Sequence, residues 1–187
     1  MKNNRKKLIA LSLVIVSTSM FLISCKGDDS RLGKMTVEEL QSIELTDEMI
    51  AEIESSLPTS MKEDLVIKES TDESKVLNII HGMTHQKIAS DKKWGAIPLT
   101  EKNVQVLYDF LETKNFNNQT ALMNIVTKWK KKDFSEIDKD HNYIWNIQGG
   151  TVGKAYGILS LEEERKYIKK NFSSEAVQII TYEIILP

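Results

Sequence analysis

Cysteine is nearly absent from this chain, because Cys25 is the single one among its 187 residues. A lone cysteine cannot form an internal disulfide bond, so an exported form must draw its stability from a hydrophobic core or a bound metal. Proline and glycine are also scarce, at three and eight residues, which argues against a fibrous or low-complexity class. Apolar residues make up 41% and charged residues 28%, and these values together with the length predict an ordinary globular domain.

The sequence also lacks an apolar run of transmembrane length. Its longest mainly apolar stretch, from Leu8 to Ile23, has 16 residues and is interrupted by serines and a threonine, whereas a spanning helix needs about 20. Basic residues precede the stretch at Lys2, Arg5, Lys6 and Lys7. This pattern predicts a secretory signal peptide, and an uncleaved membrane anchor is the alternative.

The apolar stretch ends in the tetrapeptide Leu22-Ile23-Ser24-Cys25. These residues resemble the lipobox of bacterial lipoproteins: an aliphatic residue, a tolerated residue, a small residue and then cysteine. The resemblance implies cleavage after residue 24 and fatty acylation of Cys25, and two acyl chains are enough for durable membrane anchoring. We therefore expect a lipoprotein held by Cys25 on the outer face of the cytoplasmic membrane.

Acidic and basic residues are unevenly distributed along the rest of the chain. Loss of the four basic leader residues takes the formal net charge from −2 to −6. Residues 25–73 carry fourteen acids and five bases, whereas residues 74–187 carry thirteen acids and sixteen bases. We predict an acidic stalk with short helices over 25–73 and a folded domain over 74–187. The acidic stretch either holds the domain away from anionic lipid or is simply solvated.

Hydrophobic spacing in residues 74–187 predicts a mainly α domain of about five helices. The first is expected from about Ser74 to Ala89, and the second begins after a Thr100 cap. The third follows Asn117, the fourth follows a Ser135 cap, and the fifth opens with the capping box Ser160-x-x-Glu163. The tail from Val177 to Leu186 is rich in β-branched residues and predicts a strand, the minor β element.

Several segments of this region together resemble an uncharacterised domain family found in exported proteins of Gram-positive bacteria. The resemblance covers roughly the last hundred residues and implies one coherent domain, but it brings no assigned activity. Within these segments Trp94, Trp145 and Lys154 are candidates for lining a ligand pocket. The segments that carry the resemblance are residues 83–87, 93–95, 140–145 and 148–155.

Two nucleotide- or ion-binding motifs are incomplete. A phosphate-binding loop ending at Gly153-Lys154 would need glycine where Gln148 stands and a hydroxyl residue where Ala155 stands. A calcium loop beginning at Asp138 would need glycine at its sixth position and glutamate at its twelfth, which here are Tyr143 and Gly149. We reject both motifs. Nucleic acid is also excluded as a partner, because no platform of aromatic and basic residues is evident.

Histidines form the one remaining constellation. His81 and His85 lie four residues apart on the first predicted helix and therefore share a face. With His141 they make three imidazoles, the ligand count of some zinc centres in which water takes the fourth position. His81 and His141 also lie on apolar stripes, where histidine is usually a hydrogen-bonded core residue. We expect His141 to pack near His81 or His85 under either interpretation.

Glycine spacing leaves a second question open. Gly149, Gly153 and Gly157 recur every four residues, so in a helix they would form one flat stripe for close packing. The alternative is that Gly149 ends the fourth helix and begins a loop.

No complete catalytic motif is present, so two functions remain. The first is a non-enzymatic surface lipoprotein that binds an unknown protein or cell-envelope partner and needs no cofactor. The second is a metal-binding protein or metal-dependent hydrolase that holds zinc on the three histidines.

Overall fold

A computed structural model of the protein describes residues 46–59 and 61–185. The predicted signal peptide of residues 1–24 and the predicted lipidation site Cys25 lie outside the described residues. The chain divides into two compact units, one comprising residues 60–180 and the other the remaining residues at both ends. The larger unit begins before residue 74, where the sequence placed the domain boundary.

The described residues are mainly helical, as predicted, with seven helices rather than about five and a sheet of two short strands. In chain order the elements are α1 (Asp47–Ser56), α2 (Glu73–Thr84), β1 (Ile88–Ala89), α3 (Glu101–Glu112), α4 (Gln119–Lys130), α5 (Ile137–Ile147), β2 (Gly157–Ile158), α6 (Leu161–Asn171) and α7 (Ser174–Ile185).

Hydrogen-bonding side chains begin three of these helices. Asp72 accepts a hydrogen bond from the backbone N–H of Lys75 at the start of α2. Thr100 caps α3 as predicted, and Ser160 and Glu163 form the predicted capping box of α6. Each cap satisfies a backbone N–H that has no partner within its helix, so these sequences fix where the helices begin.

The apolar stripes of α2, α3, α4 and α5 form the core of the larger unit. Helix α3 packs on α4, and α2 packs on α5. The buried side chains include Trp129, Ile80, Met83, Leu107, Leu122 and Ile144. Packing of α2 on α5 determines the site, because these two helices carry the histidines.

The first predicted helix is five residues too long at its C-terminal end. Helix α2 ends at Thr84, and Ile88 and Ala89 instead pair antiparallel with Ile158 and Gly157. Ile97 N–H caps the carbonyl of Gly82, and the buried Gln86 side chain accepts from Leu99 N–H and donates to Glu164. Contacts with residues far along the chain therefore end the helix at Thr84, although the apolar spacing alone predicted that it would continue.

The predicted C-terminal strand is wrong, because residues 174–185 form helix α7. Ser173 Oγ accepts from Ala176 N–H at the start of this helix, and Ser173 also bonds through its N–H and hydroxyl to Glu63. Ala176 and Ile180, four residues apart, are both fully buried. The hydrogen bonds of Ser173 and the burial of this helix face therefore outweigh the preference of the β-branched residues for a strand.

Two further details of the sequence interpretation need correction. Ser135 does not cap the fourth helix, since its hydroxyl bonds to Asp133 and α5 begins after Glu136. The glycine stripe is also wrong, because Gly149 and Gly153 adopt positive φ values of 68° and 87° in a loop. Gly149 thus ends the helical region, as the loop alternative predicted.

Among residues 46–59 and 61–185, no helix combines the length and the hydrophobicity that crossing a membrane requires. In the smaller unit, the Tyr182 hydroxyl bonds to the Glu54 carboxylate.

Candidate metal centre

Helices α2 and α5 bring the three histidines together. His81 lies in the last turn of α2, and His85 follows at its C-cap with a helical φ of −56°. One turn of helix therefore places both rings on one face. His141 lies on α5 and is completely buried where α5 packs on α2. This arrangement confirms the expectation that His141 lies near His81 and His85.

The three imidazole rings converge on a small volume. Their centroids are 4.5 Å apart for His81 and His141, 4.9 Å for His81 and His85, and 5.6 Å for His85 and His141. One nitrogen from each ring lies within 4.8 Å of the others. Rings that share one tetrahedral zinc ion at 2.0–2.1 Å have centroids about 5 Å apart and ligand nitrogens about 3.3 Å apart. The ring spacing therefore suits a common ion, and binding would draw the three nitrogens closer together than the 4.8 Å within which they lie.

A backbone carbonyl fixes the tautomer of His85, and an asparagine side chain fixes that of His141. His85 Nδ1 lies 2.8 Å from the carbonyl oxygen of Gly95, an acceptor that requires Nδ1 to carry hydrogen. His141 Nδ1 faces Asn142 Oδ1 at 3.2 Å. The Asn142 amide cannot be reversed, because its Oδ1 accepts from Ala155 N–H and its Nδ2 donates to the Ala155 carbonyl. In both neutral rings Nε2 therefore carries the lone pair.

His81 is held in the same way by side chains. Its Nδ1 lies 2.5 Å from Gln148 Oε1, and Gln148 Nε2 donates to Asn78 Oδ1 at 2.7 Å. With the oxygen of Gln148 facing His81 in this pairing, Nδ1 donates and Nε2 is left for another partner. Each of the three rings thus has its Nδ1 paired with an oxygen acceptor.

The free nitrogens of His81 and His141 face each other. His81 Nε2 lies 2.9 Å from His141 Nε2. Two imidazole lone pairs at this distance repel, so the gap requires a shared proton or a metal cation. Ligands of a tetrahedral zinc ion lie about 3.3 Å apart, which a small movement of either ring would provide.

Burial keeps the two inner imidazoles neutral. Desolvation lowers the pKa of His85 to about 4, against a smaller opposing effect of the hydrogen bond to Gly95. Desolvation likewise lowers the pKa of His141 to about 4, with the Asn142 hydrogen bond opposing it. Neutral imidazole is the form that binds metal, so neither ring needs to lose a proton at neutral pH.

Lys93 supports the site from outside the cluster. Its Nζ donates to the carbonyl oxygen of His85 at 2.9 Å and lies 4.4 Å from the ring centre of Tyr167. Burial lowers the pKa of Lys93 to about 8, although the nearby Glu163 acts in the opposite direction. Lys93 thus joins the end of α2 to α6.

A cavity of about 400 Å³ opens onto His81 and His85. The ring of Trp145 lies against Gly150, where a Cβ atom would come within 2.3 Å of it, and Trp145 Nε1 donates to the carbonyl of Val152. Loop 149–153 thereby forms one wall. The remaining lining residues include Trp94, Lys92, Gln148, Asn78 and Thr151.

Two of the three predicted pocket residues line this cavity. Trp94 and Trp145 line this cavity, whereas Lys154 is exposed and does not line it. Asp140, which precedes His141 in the sequence, accepts from Lys128 and from Trp129 Nε1. Asp140 therefore pairs with Lys128 and Trp129 rather than with a histidine.

Sequence reasoning did not assign roles to the residues that hold the rings. Gln148 lies seven residues after His141, two helical turns along the same face, and that spacing is a usable signal. Asn142 and the Gly95 carbonyl have no such signal, because their roles depend on a loop returning to α5 and on the turn after β1.

A protein-family model matches the part of the chain that carries the site. No curated protein and no solved structure matches the chain. The match covers the histidines and both tryptophans of the cavity, and it confirms the expectation of an uncharacterised domain in this part of the chain. Residues 80–169 match the model of DUF6241, a family of unknown function.

Proposed function

We propose that this domain is a metal-binding module that holds one divalent transition-metal ion, zinc or a similar ion, on His81, His85 and His141. The observation that carries the proposal is the common orientation of the rings: Nδ1 of each faces an oxygen acceptor, and the remaining nitrogens meet in one place. Histidine ligands of metals characteristically donate their second ring N–H to such an acceptor.

The ligand set indicates which metals the site would accept. Imidazole nitrogen suits zinc, copper, iron and nickel, whereas calcium and magnesium require oxygen ligands. Three histidines leave the fourth position of a tetrahedral ion open, and His81 and His85 face the cavity. The site therefore resembles an open centre more than a closed structural one.

Metal binding rather than hydrolysis is the function proposed. A three-histidine zinc ion acidifies its water, but hydrolases of this kind usually also employ a carboxylate as general base. Among the described residues that line the cavity, none is acidic. Together with the predicted acylation of Cys25, this supports a non-enzymatic module that presents a metal ion at the outer face of the membrane to a partner that is not identified.

Calorimetric titration of the metal-free full chain with zinc tests the proposal. We expect one ion per chain and a large loss of affinity in His85→Ala and His141→Ala. Gln148→Ala should have a smaller effect, a loss of roughly 10–100-fold, because it removes only a partner of a ligand. The exposed Lys131→Ala serves as the control and should bind as wild type does.

Zinc binding that is absent, or that survives His141→Ala unchanged, would refute the proposal. The short contact between His81 and His141 would then be a hydrogen bond with a shared proton, and the cluster a polar network of the core. Thermal unfolding of each variant shows whether it is folded under the conditions of the titration.

A further inference from the structure

The cavity beside the histidines has a charge that selects its ligand, and the argument rests on the proposed metal centre. Neutral imidazoles leave a divalent ion with its full charge of two. Lys92 adds a positive charge to the lining, and no described lining residue is acidic. An ion in this environment favours a negatively charged ligand at its open position.

The cavity lining includes several side chains that can donate hydrogen bonds. The Asn78 Oδ1 atom accepts from Gln148, which directs the NH₂ group of Asn78 to other acceptors. Lys92 and Thr151 also line the cavity, and their side chains carry an ammonium group and a hydroxyl. The Lys92 backbone lies beside the loop, because the single hydroxyl hydrogen of Ser90 is shared between the Gly153 carbonyl oxygen at 2.7 Å and the Lys92 carbonyl oxygen at 3.0 Å.

An aromatic surface lies at the same cavity. Trp94 lines it and yet is 69% exposed, and Val152 beside it is 52% exposed. Trp145 has its indole N–H bonded to Val152 and its face against Gly150, so its orientation is fixed. The volume of about 400 Å³ falls in the range of roughly 300–1,000 Å³ that is usual for small-molecule sites.

We infer that this cavity binds a small molecule with an oxyanion group, a carboxylate or a phosphate, whose oxygen takes the fourth position on the metal and whose flat apolar face stacks on Trp94. Lys92 pairs with the anion, and the indole ring covers the apolar part of the ligand. Both ligand classes present the same chemistry to the ion, namely a charged oxygen.

Cobalt(II) substitution of the full chain makes this testable, because the visible spectrum of cobalt reports its ligands. Two pairs of probes are titrated at fixed pH: acetate with phenylacetate, and inorganic phosphate with phenyl phosphate. We expect saturable spectral changes, with half-saturation by the aromatic member at a concentration about 2- to 10-fold lower, the ratio that one aromatic pair provides. The pair that saturates at the lower concentration identifies the oxyanion class.

Two variants separate the contribution of Trp94 to ligand binding from that of Lys92. Trp94→Ala should abolish the advantage of the aromatic member and leave acetate or phosphate binding unchanged. Lys92→Ala should weaken both members of a pair by a similar factor, while Lys131→Ala should match wild type.

The result that overturns the inference is a normal cobalt spectrum that no oxyanion alters, and the metal centre would survive that result. A chain that gives no cobalt spectrum would refute the metal centre and the anion site together.

Discussion

Imidazole has two ring nitrogens, and the partner of one decides what the other can bind. In this protein a backbone carbonyl, an asparagine and a glutamine each take one Nδ1 atom. The asparagine is in turn fixed by two hydrogen bonds to Ala155. Ligand geometry at this site therefore depends on residues that themselves bind no ion.

At the residue scale, the neutral state of His85 and His141 predicts that the stability of the metal-free protein depends on pH. Burial holds the pKa of His85 and of His141 at about 4, compared with 6.5 in the unfolded chain. Because the unfolded chain binds more protons between these values, this stability is fully present above pH 6.5 and is lost as pH falls toward 4. The melting temperature, followed by circular dichroism at several pH values in this window, should fall accordingly.

The variant His141→Gln provides the comparison for that measurement. With one of the two depressed groups removed, its melting temperature should depend less steeply on pH than that of wild type. Equal slopes would show that His141 does not titrate as its burial implies.

At the scale of elements, the loop after α5 depends on glycine, and Gly153 provides a direct test. Gly153 has a φ of 87°, and a Cβ atom there would lie 2.6 Å from the carbonyl oxygen of Lys92. Gly153→Ala should therefore cost about 2–3 kcal/mol of unfolding free energy, through strain in the left-handed region and through the clash. Urea unfolding measures this cost.

Gly157→Ala is the matched control for that experiment. A Cβ atom at Gly157 meets nothing within 4 Å, so the substitution should change the free energy of unfolding by less than about 0.5 kcal/mol. If Gly153→Ala were as stable as Gly157→Ala, the loop conformation would be wrong.

Elements that begin with a local signal were predictable from sequence. Thr100 and Ser160 bond to backbone N–H groups three residues away, and a capping pattern reveals such contacts. The end of α2 and the pairing of β1 with β2 depend on partners such as Leu99, Glu164 and Ile158, far along the chain. The C-terminal helix was missed because composition was weighed above the spacing of Ala176 and Ile180.

The candidate site was likewise predictable from the sequence only in part. The i, i+4 spacing of His81 and His85 predicted a shared face, and apolar stripes on two helices predicted that His141 would join them. The orientation of the rings was not predictable, because it depends on Asn142 meeting Ala155 and on the carbonyl of Gly95.

At the scale of the whole molecule, the proposal joins a metal-binding domain to a lipid anchor. The sequence predicts acylation of Cys25 and cleavage after Ser24, outside the described residues. Cys25→Ala should leave an uncleaved precursor, because the acyl acceptor is lost, while Ser24→Ala keeps a small residue and should be processed normally. Membrane fractionation and the mass of the product distinguish the two.

A Cys25→Ala chain that is cleaved to the same size and stays bound to the membrane would contradict the lipoprotein prediction. The metal centre does not depend on that outcome, because its residues all lie within the larger unit.

The central claim is that three imidazoles bind one ion, and X-ray absorption at the zinc edge of the zinc-loaded full chain tests it most directly. The account predicts four-coordinate zinc with three imidazole nitrogens at about 2.0–2.1 Å and one further light atom. His141→Ala should lose this shell. A six-coordinate shell of oxygen alone, or a spectrum that His141→Ala leaves unchanged, would contradict the account.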